Sequence, residues 1–120
     1  MFHSTTAASI FFLPATQNES RWIPNADIYH SARGWLIKLD VAGVERDDIS
    51  IRAEGARLFI SGQRRDRAVS EDWNHYSMEI AYSRFARVIE LPCDLSRAHL
   101  SAELRDGMLL VLIRPEGAGP

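Results

Sequence analysis

The chain has 120 residues, a hydrophobic share of 46%, a charged share of 25% and a formal net charge of -2. That length suits one domain whose apolar core forms without staples. Near-neutral charge argues against a chain built to coat nucleic acid or an anionic membrane, and no stretch is long and apolar enough to span a bilayer. The single cysteine, Cys93, has no partner for an internal disulfide, which fits a reducing compartment and predicts a cytoplasmic protein.

Residues 1–21 are small and polar, broken only by Ile10-Phe11-Phe12-Leu13. They hold no sustained period and read as a flexible N-terminal arm with one sticky patch. The apolar run Ala7 to Leu13 has only His3 before it and a weak cleavage pattern after it, so it does not read as a secretory signal. Without a secretory route, Asn18-Glu19-Ser20 is a chance sequon.

From Trp22 onward, short apolar runs alternate with turn residues. Ile23 to Tyr29, with Pro24 near its start, suits an edge strand. Ser31 to Gly34 is a turn. Trp35, Ile37, Leu39 and Val41 recur every second residue, the signature of a strand with one buried face, and Gly43 ends it. Ile49 to Ala53 alternates again, and Glu54-Gly55 turns the chain into Leu58 to Ser61. Gln63 to Asp72 is a charged loop, and Trp73 to Tyr82 is mixed. Phe85 to Leu91 is a strand closed by Pro92. Leu100, Ala102 and Leu104 alternate up to Asp106-Gly107, a two-residue hairpin turn, and Met108 to Ile113 completes the pair. No segment keeps helical periodicity for three turns. About eight short strands at this spacing predict an all-β sandwich or barrel.

A search for chemistry finds little. His3, His30, His75 and His99 are scattered, with none at the spacing of a compact metal site. Cys93 follows Pro92 without a base beside it and reads as a small buried residue. Asp47-Asp48 and Glu71-Asp72 read as solvated turns, and Gln63 to Arg67 as a charged loop. No glycine-rich phosphate cradle exists. Neither a catalytic residue, a metal ligand nor a cofactor site is expected.

Two motifs carry a family resemblance. Ala102-Glu103-Leu104-Arg105-Asp106-Gly107-Met108-Leu109 resembles the A-x-x-x-[DN]-G-[VM]-L signature of the alpha-crystallin domain of small heat-shock proteins. Phe85 to Pro92 resembles that family's F-x-R-x-x-x-L-P. Pro24 to Tyr29, Asp48 to Ile51 and Leu58 to Gly62 match further, so the resemblance covers residues 22–114. It implies an immunoglobulin-like antiparallel β-sandwich over 22–114, after an arm at 1–21 and before a short tail at 115–120. Ala102 and Leu109 are expected to face inward on the paired strands. Ala42, Ser83 and Ile80 depart from the usual proline, glycine and arginine.

The implied activity is an ATP-independent holdase that binds partly unfolded proteins. Its client surfaces would be the arm patch Ile10, Phe11, Phe12 and Leu13, and a groove between Ile49, Ile51 and Leu100, Ala102, Leu104. The family places an I-x-I motif beyond the last strand. The tail from Arg114 to Pro120 lacks it, which leaves the groove open to clients or a partner's tail and argues against a large shell. The bacterial and plant branch dimerises by strand exchange. Here that implies that Gln63 to Met78 is the exchanged loop, anchored by Trp73, Tyr76 and Met78, meeting Ala26, Ile28 and Tyr29 of another copy. Arg87 and Glu79 would form an ionic contact there. An ordinary intramolecular loop, and a CS-type adaptor or co-assembling subunit without holdase activity, are the competing readings.

Overall fold

In the computed structural model, residues 22–67 and 70–116 are described. They form seven strands: β1 (Ala26–Ser31), β2 (Gly34–Asp40), β3 (Ile49–Glu54), β4 (Arg57–Gln63), β5 (Arg84–Glu90), β6 (His99–Arg105) and β7 (Met108–Arg114). Two single 3-10 turns, Arg46–Asp48 and Leu95–Arg97, precede β3 and β6. All pairings are antiparallel. One sheet has the order β1-β2-β7-β6 and the other β3-β4-β5.

The two-residue period decides which side chains are covered. Opposite residues share a face, so the pairings Ile37↔Val111 and Leu39↔Leu109 put four aliphatic chains on the inner side of the first sheet. The second sheet answers with Leu58, Ile60, Phe85 and Ile89. All eight are buried, with Val41, Val44, Leu91, Leu95 and Ile113 completing the core. Trp35, predicted on the same face, is half-buried against it. The tight turn also forms where expected. Asp106 (φ 53) and Gly107 (φ 78) both lie in the left-handed region that a two-residue hairpin requires. The carbonyl of Gly107 then accepts the N–H of Val41 at 2.9 Å, stitching the hairpin to the end of β2.

One inward-facing residue is left uncovered, and one reading from the sequence is corrected. Ala102 pairs with buried Val111 and therefore faces the opposite sheet, yet it is exposed. It lies on β6, the outermost strand, where no side chain of β3 reaches over it fully. Asp48 is no solvated turn residue. Its carboxylate is only 14% exposed and accepts from Arg65 Nε at 3.2 Å and Arg67 Nη2 at 3.0 Å, while Arg67 also pairs with Glu45 at 3.5 Å. The charged stretch after β4 is thus folded back on the turn before β3. Asp48→Asn is expected to lower stability by about 1 kcal/mol, since the arginines are half exposed and screened. Denaturant titration at low and high salt checks this, and the deficit should shrink at high salt.

Candidate functional site

Two surfaces gather the residues singled out in the sequence. The first is a groove of about 410 Å³ between β3 and β6, lined by Arg46, Ile49, Ile51, Ala102, Glu103, Leu104 and Leu109. It exists because both flanking strands are sheet edges that bring their inward-facing apolar residues to an open seam. Ile49, Ile51, Ala102 and Leu104 come together there. Leu100 does not line it and is exposed farther along β6. Sequence reasoning missed Arg46 and Glu103, an opposite pair of charges at the seam, because neither sits in an apolar pattern.

The second set of residues is spread over the edge strand β1 and the loop at residues 64–83. Ile28 and Tyr29 are exposed on β1, and Trp73, Tyr76, Met78 and Ile80 are exposed on the loop. Trp73 and Tyr76 keep 69% and 102% of their surface in solvent, values that decide against any role in this chain's own core. The described part of the loop contains no strand. Within one chain, then, the loop anchors and Ala26, Ile28 and Tyr29 are not joined by pairing. Lys38 Nζ lies 5.5 Å from the Tyr29 ring centroid, and its pKa is raised, chiefly by a hydrogen bond with that phenol.

Arg87 and Glu79 form no ion pair among the described residues. Arg87 on β5 instead donates through Nη1 to the carbonyl of Pro24 at 2.8 Å, a bond spanning the start of β1 and the edge of the second sheet. Glu79 is exposed on the loop. The arm patch Ile10 to Leu13 lies outside the described residues, as do residues 117–120 of the tail.

Other candidate groups stay separate. His30 stacks on Trp35 at 4.1 Å between ring centroids, and His75 and His99 are exposed. Cys93 is half-buried against the core. No group of three or more potential metal ligands occurs among the described residues, and no helix among them is long and apolar enough to cross a membrane. What the two surfaces offer chemically is apolar contact area and strand edges without a partner among the described residues.

Comparison with known proteins places this geometry. The Hsp20/alpha crystallin family model matches residues 27–119. Small heat shock protein C4 of Rickettsia felis is 27% identical over 103 residues, covering 86% of this chain and 63% of that protein. Spore protein SP21 of Stigmatella aurantiaca is 26% identical over 102 residues, covering 83% of this chain and 60% of its own length. The chain thus spans about three fifths of those relatives. Among solved structures, heat shock protein 16.0 from Schizosaccharomyces pombe has a TM-score of 0.72 at 20% identity, over 82% of this chain and 92% of that one. The Del-C4 mutant of hsp14.1 from Sulfolobus solfatataricus P2 has a TM-score of 0.66 at 26% identity, over 81% of this chain and 79% of that one. The two-sheet fold is shared by both.

Proposed function

The chain belongs to the Hsp20/alpha crystallin family, and on that footing we propose that it is an ATP-independent holdase of the cytoplasm, binding partly unfolded proteins and keeping them from aggregating. The family consists of small heat-shock chaperones, which are not enzymes. The observation that supports the reading is the set of exposed large apolar side chains on one loop and one sheet edge, together with an open apolar groove between β3 and β6. Burial of apolar surface is non-directional and tolerates many sequences, which suits a binder of non-native chains.

Self-association belongs to the same proposal. Among the described residues no strand pairs with the outer side of β1, and an added strand would satisfy its N–H and C=O groups. The loop of a second copy supplies that strand, with Trp73, Tyr76 and Met78 as anchors over Ile28 and Tyr29. Its Glu79 arrives beside Arg87, which already reaches the start of β1 through Pro24.

The test is heat-induced aggregation of a model client, followed by light scattering without ATP, over a dilution series of this protein. Suppression at near-stoichiometric amounts is expected. Phe11→Ala/Phe12→Ala and Ile51→Ser variants then separate the arm from the groove as the client surface. A clean dimer that leaves scattering unchanged overturns the holdase reading and points to an adaptor or a co-assembling subunit.

A further inference from the structure

The loop at 64–83 leaves and returns at one point. Gln63 and Arg84 form the last ladder pair of β4 and β5, and the N–H of Arg64 donates to the carbonyl of Ser83 at 3.0 Å just beyond it. At this neck sits the Arg64 side chain, which contacts three separate parts of the chain. Its Nε donates to the carbonyl of Ala81 at 2.8 Å, on the returning limb of the loop. Its Nη1 donates to the carbonyl of Ala42 at 3.1 Å, in the turn after β2. The face of the guanidinium lies 3.6 Å from the centroid of the Trp22 ring. Trp22 in turn meets buried Phe85 edge-on, with ring centroids 5.2 Å apart.

Arginine is suited to this place by its shape. A planar guanidinium donates in its plane to two carbonyls while its face stays free to stack on an indole, and an ammonium cannot do both. Trp22 also directly follows residues 1–21, which the sequence predicts to be an arm. From these contacts we infer that Arg64 is a clasp coupling the N-terminal segment to the neck of the loop. When the arm is drawn away and Trp22 leaves its seat, Arg64 loses the ring that orients it. The bond to Ala81 then weakens, and the limb carrying Met78 and Ile80 is freed. Coupling of this kind needs a connected set of contacts with two arrangements, and here it runs from Trp22 through one side chain to Ala81. The effect on association rests on the strand-exchange reading above, whereas the clasp itself does not.

The experiment compares the full chain with Trp22→Leu, Arg64→Lys and the double variant. It reads hydrogen exchange at the backbone amide of residue 64, whose bond to Ser83 closes the neck. Each single substitution is expected to speed that exchange roughly fivefold or more, the lower range of a site-to-site coupling. Since both remove the same ring–guanidinium contact, the double variant should fall well short of the product of the two single effects. Unchanged exchange in Trp22→Leu, or two effects that simply multiply, overturns the clasp. Subunit exchange between labelled copies is measured on the same samples. A looser neck with unaltered subunit exchange upholds the clasp and counts against the loop as the dimer contact.

Discussion

Gly34→Ala is expected to lower the melting temperature by at least about 10 °C. Gly34 opens β2 at a φ of +130, a conformation that side-chain-bearing residues rarely adopt. A Cβ there would run into the carbonyl oxygen of Ile113 and lie 3.1 Å from Pro115 Cδ. The oxygen cannot retreat cheaply, because Ile113 pairs with Trp35 on one side and Leu100 on the other, and its side chain is fully buried. Backbone strain and forced overpacking each cost about 1–3 kcal/mol. Their sum, at roughly 4–8 °C per kcal/mol for a domain of this size, gives the expected shift. Gly55→Ala is the control. Gly55 also has a positive φ, +62, but open space where its Cβ would stand. Its cost stays near the ~1–2 kcal/mol of a left-handed alanine. Equal melting temperatures for the two variants would show that the contact with Ile113 does not matter.

The second large effect concerns association. Trp73→Ala together with Tyr76→Ala is expected to raise the dimer dissociation constant about 30-fold or more, leaving the melting of the separated chain unchanged. Both side chains lie in solvent within one chain, so truncation removes no internal packing. At an interface, buried Trp and Tyr are the residues most often worth about 2 kcal/mol or more, and 1.4 kcal/mol is tenfold in a dissociation constant. Sedimentation or light scattering over a concentration series reads the constant. A dimer of undiminished strength would remove the loop from the contact and return it to the ordinary intramolecular reading.

The core and the turns were legible in the sequence because local patterns determine them. Ile37, Leu39 and Val41 alternate without interruption, and a single-residue slip would turn all three to solvent. Asp106-Gly107 is the residue pair a tight hairpin demands. What stayed hidden depends on residues far apart in the chain. Arg64 read as one more charge in a polar run, since nothing nearby announces that Trp22, Ala42 and Ala81 converge on it. Asp48 read as solvated because its partners, Arg65 and Arg67, are brought to it only by the β3–β4 pairing. The face of Ala102 was legible from alternation but its degree of coverage was not, since coverage depends on which strand ends a sheet, and alternation carries no information about sheet order. The groove charges Arg46 and Glu103 were hidden because neither sits in an apolar pattern.

Strand order also governs how the molecule comes into being. The sheet β3-β4-β5 is drawn from one uninterrupted stretch, residues 49–90, and each strand pairs with its neighbour in sequence. The other sheet is held together by β2 against β7, strands separated by most of the domain. Ribosomal synthesis therefore delivers a complete three-stranded half while β2 still lacks the neighbouring strand that brings Leu109 and Val111 beside Ile37 and Leu39. Closure waits for the last strand, and the long loop that must be ordered makes it the slow step. During that interval the nascent chain displays the same kind of apolar, edge-exposed surface that its mature form is proposed to shield in others.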